Sequence, residues 1–518
     1  MHSVVMRSWL IGLPILMLAC GEREAPAPIA PEPPAPPAAA AAPAAPKAPP
    51  PRMPRGLVAN APGATPGYVL FNPLLSDTSY LVDNEGRVVH TWKTAYSPGG
   101  GSELLPNGNL LRLSRDPEML GFKAGGTGGI VQEIDWDGSV VWEWKLSNAE
   151  RVLHHDIEPL PNGNVLAIGW EVKTPAELRQ AGRRIDRIPE QGLWPDFVIE
   201  VEPVRPNGAN VVWEWHVFDH LIQNHDPAAA NHGDPAAHPE RLDLNAGAHA
   251  PQVDAAQLDQ LKALGYVPQD ATPQDLESDF LHVNAVTHHP QLDQIALSVP
   301  TLNEIWIVDH GTTTAEAAGP AGDLLYRWGN PAAYGRGDAS ARRLFSQHDV
   351  RWIPDGWEGA GNLMVFNNGS ERPDGPWSSI DEWTPPLGAD GRYALGEGPF
   401  APAELAWQYR AKQPADFFAP FISGAQRLEN GNTLIAAGTG GELYEVTRAG
   451  DIVWEYRSPF SGSVRNADGS MPQPGLDESP FALFRATRIP ADHPALVGRT
   501  LAPLDPQPAA FDWKPKAP

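Results

Sequence analysis

The chain has 518 residues, a formal charge of −25 and a single cysteine, Cys20. Such a surplus of carboxylates repels phosphates, which argues against nucleic acid as a partner and against a basic membrane-docking face. With one cysteine there is no internal disulfide, zinc–thiolate site or thiol nucleophile in the folded body, so its chemistry must use oxygen and nitrogen side chains.

The first segment, "MHSVVMRSWLIGLPILMLAC", has an early arginine, an apolar run from Trp9 to Leu18 and then Ala19-Cys20. It reads as a signal peptide over 1–19, too short to span a bilayer as a stable helix. The cysteine at its end suggests a bacterial lipoprotein, cleaved before Cys20 and acylated there; a simple signal peptide with an incidental cysteine is the alternative. The expected location is the periplasm or cell surface, anchored by lipid to a membrane such as the outer membrane. Residues 20–56 are rich in Pro and Ala, cannot bury a core and should form a semi-rigid tether. The body, 57–510, exceeds the usual domain size, but closed all-β architectures run long as single units. "GGTGG" (125–129) and "GTGG" (438–441) lack the following helix that a phosphate cradle needs.

Along the body an aromatic–x–aromatic strand or its near relative recurs: "VVHTW" (88–92), "VVWEW" (140–144), "VVWEW" (211–215), "LLYRW" (324–328), "LAWQY" (405–409) and "IVWEY" (452–456). Each copy is followed by a second hairpin, clearest in "ELLPNGNLL", "EPLPNGNVL" and "QRLENGNTL". Asn-Gly between apolar strands predicts a tight turn with positive φ at both turn residues. Two hairpins per repeat make a four-stranded sheet, and a ring of such sheets makes an all-β, six-bladed β-propeller. An insertion, about 217–280, separates the third and fourth repeats and contains a plausible helix in "AAQLDQLKALGYVP".

Overlaying the repeats puts His155 six residues before Pro161 and His348 six before Pro354. In the third repeat Asn284 takes that position before Pro290, and His282 shares its face if the strand is unbroken. Inner strands of a propeller converge on the axis, so His155, His282 and His348 are expected to meet at one mouth as a catalytic group. Asp156 and Asp349 follow two of these histidines, and either orient imidazoles or tie neighbouring blades. Arg372, after "VFNNG" with its Asn367, offers a fork suited to a tetrahedral oxyanion, or is a solvated loop arginine.

"DFLHVNAV", "FSQHDVRWIPDG" with "LMVFNNG", and "GAQRLENGNTLI" with "GELYEVTRAGDIVWEY" resemble the bacterial arylsulfate sulfotransferase family over roughly 68–505. The resemblance implies an exported propeller that moves a sulfuryl group from a phenolic sulfate ester to a phenol acceptor without a nucleotide donor, cofactor or metal. His282 and His348 match family active-site histidines by motif. His155 joins them through the overlay, while Arg372 matches a sulfate-binding arginine and Asn284, Asn367 and Asp349 accompany it as substrate-binding groups. Family members of known mechanism carry the sulfate-accepting histidine in a later blade, whereas this chain has no histidine between His348 and His493. An earlier histidine takes that role, transfer is direct, or the activity has changed.

Two other classes remain open. One is a metal-dependent propeller hydrolase or lyase with His155, His282 and His348 as ligands. The other is a surface-tethered binding propeller without catalysis.

Overall fold

The computed structural model describes residues 54–246, 255–263, 266–268, 270–461 and 481–512. The expected signal peptide, Cys20 and nearly all of the Pro/Ala-rich linker lie outside the described residues. Alternating sequence becomes antiparallel meanders in which successive strands pair, and the architecture is an all-β propeller. Among the described residues hydrogen bonding gives four separate sheets of four or five strands and one of eight, besides a two-stranded ribbon, where six separate blades were expected. In the eight-stranded sheet, a meander from Pro98–Leu104 to Val140–Lys145 meets one from Arg151–Pro159 to Ala209–His216. They join at a single parallel bridge between Gly100 and His155. Glycine permits the join, because a Cβ at position 100 would lie 1.8 Å from the His155 carbonyl oxygen.

Both ends of the body are tied into sheets. Leu483–Pro490 pairs with Gly67–Pro73 and so heads the sheet that Thr78–Asp83 and Val88–Lys93 complete. Gly56–Asn60 adds to the far edge of the last sheet, along Ile452–Arg457.

The repeat read from sequence straddles two meanders. Each aromatic–x–aromatic strand closes one meander, and the hairpin after it opens the next. Trp142, Trp215 and Trp454 bury their rings completely. Their indole N–H groups donate to Gly208, Gly322 and Asn84 carbonyls at 2.7, 2.7 and 2.9 Å, each in a loop of the following meander. The repeated tryptophan thus combines apolar area with one donor aimed at the neighbour.

The Asn-Gly turns differ from expectation. Gly108, Gly163 and Gly431 have φ of 91, 87 and 87°, but their asparagines do not adopt positive φ. Instead Asn107, Asn162 and Asn430 Oδ1 accept from the backbone N–H two residues on, at 2.9, 2.9 and 3.0 Å. This is a type I turn closed by a left-handed glycine, with the side chain holding its entry.

The insertion contains the expected helix, at Ala255–Ala263, a second at Pro273–Leu276, and a parallel ribbon of Leu221–Ile222 with Leu242–Asp243. Its Tyr266 and Val267 pack with Trp170, Trp194, Ile422 and Phe484. That packing brings the insertion onto the inner strands where the histidines lie.

Candidate active site

Bulges on the inner strands decide where the histidines point. In Arg151–Pro159, His154 pairs with Ile168 and Ile157 with Ala167, leaving His155 and Asp156 in the bulge. In His348–Trp352, His348 itself pairs with Phe366 and the bulge starts at Asp349. Counting back from the turn therefore does not give equivalent histidines, and the residue at the ladder position of His348 in the other strand is His154. His155 and Asp349 both have left-handed backbone, φ 53 and 56°. His282 precedes its strand, Ala285–His289, and has φ 58°, so the unbroken alternation expected for His282 and Asn284 fails.

His155 and His282 nonetheless meet, with ring centroids 4.3 Å apart. Between them stands the Tyr266 hydroxyl, 3.0 Å from His155 Nε2 and 3.3 Å from His282 Nε2. Behind His282, Asp279 Oδ2 contacts Nδ1. Behind His155, His154 Nδ1 lies 2.8 Å from His155 Nδ1, and His154 Nε2 faces Asp196 Oδ1 at 3.2 Å. Trp170 stacks on His154 at 3.8 Å. The glycine run 125–129 forms part of the floor: a Cβ on Gly125 would lie 1.9 Å from the Tyr266 ring, and one on Gly126 2.1 Å from His155 Nε2. Close approach, not phosphate binding, is what these glycines serve here.

A proton assignment that gives every contact one donor runs in a single direction. His282 donates from Nδ1 to Asp279 and from Nε2 to the Tyr266 oxygen, Tyr266 donates to His155 Nε2, and His155 Nδ1 donates to His154. The electrostatics agree. Burial alone would depress His282, but the charge and hydrogen bond of Asp279, with Asp196 beyond, hold its pKa above the ordinary value. His155 is pushed well below it by burial and by the neighbouring His282, His154, His348 and Arg485. One imidazole is thus poised to give a proton and its neighbour to offer a lone pair.

His348 lies within electrostatic reach of both rings but is otherwise engaged. Nδ1 donates to Asn368 Oδ1 at 2.8 Å and Nε2 accepts from Ile422 N at 3.2 Å. Burial lowers its pKa to about 4, so it stays neutral and anchors the loop that carries Ile422.

The arginine at this hub is Arg485, on the closing strand. Nη1 donates to both Asp156 oxygens at 2.9 Å and lies 3.2 Å from Asp349 Oδ1, while Nη2 donates to the Asn284 carbonyl at 3.2 Å. Each aspartate also accepts from the next inner strand: Val286 N to Asp156 and Ala425 N to Asp349, both at 3.0 Å. Asp156 and Asp349 tie adjacent inner strands together and do not touch the imidazoles. Arg485 Nε has no hydrogen-bond partner among the described residues.

The sequence profile of the Arylsulfotransferase (ASST) family matches residues 67–459. The chain belongs to that family. It is therefore an arylsulfotransferase-type enzyme, and the histidine pair lies within the body that the family profile spans. No curated protein matches it. Similar solved structures include a Bacteroides caccae protein of unknown function, with TM-score 0.40 and 10% identity over 76% of this chain and 94% of that one. The Myceliophteria thermophila Cps50 (Swd1) β-propeller domain has TM-score 0.35 and 12% identity, over 79% and 89%.

In this arylsulfotransferase the remaining expected residues serve the scaffold. Arg372 lies over Trp377, 3.6 Å from the ring centroid, with Nε donating to the Trp377 carbonyl at 2.9 Å and Nη2 to Ser379 Oγ at 2.8 Å. Its own hairpin takes those two donors. Asn367 is satisfied by Phe345 N, the Arg343 carbonyl and Asp381 at 2.9, 2.9 and 2.7 Å. Asn284 Nδ2 donates to the Gln347 carbonyl at 2.9 Å, and its buried Oδ1 has no partner among the described residues. His493 caps the 3-10 turn Pro494–Leu496 through Ala495 N. His154, Tyr266, Asp279 and Arg485 were not singled out from sequence; the glycine floor and the adjacent His-His pair were the available signals.

Proposed function

We propose that the chain transfers a sulfuryl group from a phenolic sulfate ester to a phenol, with His282 as general acid and His155 as nucleophile. The observation carrying this is the convergence of two imidazole Nε2 atoms on one phenolic oxygen, that of Tyr266, with the surroundings raising the pKa of His282 and lowering that of His155. A substrate phenolic oxygen placed there would take the His282 proton as its bond to sulfur breaks. The sulfuryl group passes to the His155 lone pair, and a second phenol reverses the exchange. Sulfuryl transfer, like phosphoryl transfer, needs positioning and charge stabilisation more than covalent machinery, and the Arg485 charge adjoins the pair. No cofactor is required. His155 replaces the later-blade histidine that this chain lacks, and Tyr266 acts as an internal phenol occupying the acceptor position.

Counting the eight-stranded sheet as two blades joined at Gly100 gives six blades, the reading that best fits the six aromatic strands. Export and anchoring through an acylated Cys20 complete the proposal; partition into the membrane fraction, abolished by Cys20→Ser, is the check.

The decisive assay follows phenol release from an aryl sulfate with and without a phenol acceptor. Release should depend on acceptor and fall at least about a hundredfold in His282→Ala and in His155→Ala. Tyr266→Phe should retain transfer and raise kcat/KM several-fold, because the internal competitor loses two hydrogen bonds. Equal release without acceptor would mean hydrolysis, and full activity in both histidine variants would remove the site.

A further inference from the structure

At the outer end of the meander that begins with Ala285–His289, three side chains converge that the sulfuryl chemistry does not use. His288 stands near the end of that strand, Asp293 in the turn to Gln294–Val299, and His310 just after Glu304–Asp309. Asp293 Oδ1 lies 3.0 Å from His288 Nε2 and 2.7 Å from His310 Nδ1. Among the described residues, the ligand atoms of these two histidines and one aspartate all fall within 4.8 Å of one another. The histidines expected as ligands under the metal-enzyme reading are not part of it.

The other nitrogen of His310 decides how the trio reads. Nε2 lies 3.0 Å from Glu200 Oε2, on a neighbouring meander, and Glu200 is 6% exposed. Glu200 Oε1 accepts from Asn162 and Asn164 at 3.1 and 2.6 Å, so it is a fixed carboxylate. A neutral imidazole carries one N–H and cannot donate to two carboxylates. With the proton on Nε2, Nδ1 and an Asp293 oxygen face each other as lone pairs, and His288 Nε2 adds a third donor atom. Either an extra proton or a cation resolves that contact.

We propose that His288 Nε2, His310 Nδ1 and an Asp293 oxygen bind a divalent transition metal of the zinc type. Glu200 fixes the His310 tautomer from behind, the arrangement in which ligating imidazoles usually occur. The donor set, two imidazoles and one carboxylate, suits zinc and its neighbours better than magnesium or calcium. Ligand atoms around a tetrahedral ion at ~2.0–2.1 Å are about 3.3 Å apart, so the contacts of 3.0 and 2.7 Å need to open by about 0.3 and 0.6 Å. The loop is preset: Asp293 has φ 48° and its carbonyl accepts from His310 N and Gly311 N at 2.9 and 3.1 Å. The Asp293 side chain is 53% exposed and borders a groove of about 750 Å3 that Trp213, Thr312 and Thr313 also line. A fourth coordination position would open into that groove, leaving room for water or a small oxygen ligand.

The test uses the full chain, stripped with chelator and titrated with zinc chloride by calorimetry, with metal counted by elemental analysis. The chain has 16 histidines, so variants rather than the total count decide. One zinc per chain should be lost, or weakened at least about a hundredfold, in Asp293→Asn and in His310→Ala. Glu200→Gln should weaken it about 10- to 100-fold. His282→Ala, in the separate histidine pair, should leave the titration unchanged. Cobalt(II) should give the visible absorption of a four-coordinate nitrogen–oxygen site. Unaltered zinc binding in Asp293→Asn and His310→Ala overturns the proposal, as does absence of binding in the parent chain. If His310→Ala fails to fold, His288→Gln, which keeps a polar side chain of similar reach, decides by the same titration.

Discussion

His282 and His155 touch through their rings yet differ in proton affinity, and the difference is set by what stands behind each. Asp279 backs His282, whereas a neutral His154 and apolar Trp170 back His155. If His282 is the acid, activity holds while its imidazolium persists and falls as pH climbs through its raised pKa. Asp279→Asn removes the charge that holds that pKa up, leaving burial to lower it. The falling limb of the kcat profile should therefore move to lower pH, with kcat at neutral pH down about 10- to 100-fold. An aryl sulfate with a weakly basic leaving group needs less protonation and should lose less. A pH profile that stays in place would deny His282 the acid role. The neighbouring strand ladder shows why this pair was only partly legible in the sequence. His155 and His282 were visible as histidines on inner-strand approaches, but a bulge adds a residue without disturbing the apolar alternation around it. Equal spacing from the turn therefore matched His155 to His348, where the ladder matches His154. Tyr266 gave no signal of its own, because the insertion that carries it has no repeat to be compared with, and Asp279 opens the "DFLHVNAV" stretch without any spacing that marks it as the partner of His282.

The closing strand Leu483–Pro490 has a double use at the scale of the element. Its backbone completes the sheet begun by Gly67–Pro73, and its Arg485 joins Asp156 and Asp349 from two other meanders. The hairpins and aromatic strands were readable because turn chemistry and half-buried alternation are local. This strand carries no such local signal, since its partner lies more than 400 residues earlier in the chain. Burial opposes the Arg485 charge, and the two aspartates more than offset that cost. Replacing it with Leu would leave the buried Asp156, 2% exposed, without its counter-ion, and the buried Asp349, 1% exposed, with Arg351 alone at 3.0 Å. Denaturant unfolding of Arg485→Leu should show a loss of about 3–5 kcal/mol. Arg485→Lys keeps the charge without the fork and should recover part of it. A Leu variant as stable as the parent would mean that the inner strands hold together without this ion cluster.

For the whole molecule, length, low cysteine content and repeated aromatic strands already pointed to a closed all-β body, whereas the sheet count depended on a contact no local pattern encodes. One consequence of closing strands on a hub is a polar pocket of about 320 Å3, lined by Glu103, Glu158, Asp349, Arg351 and Arg485. Glu158 is half-buried on its wall, and burial together with the charges of Glu103 and Asp156 raises its pKa to about 8. Arg351, 3.8 Å from Glu103, relieves this only in part. Because the folded state holds the Glu158 proton more tightly than the unfolded chain, its contribution to stability is full below pH ~4.5 and is lost as pH rises through about 8. Above that pH the native pocket carries a carboxylate it disfavours. Glu158→Gln keeps the shape and removes the titration, so the variant should gain on the parent as pH rises from 5 to 9. Water reaches a half-buried side chain, which reduces the expected gain to about 1–2 kcal/mol at pH 9. Parallel thermal unfolding of the two proteins across that range measures it, and a constant difference between their Tm values would show that Glu158 ionises in the folded protein as freely as in the unfolded chain.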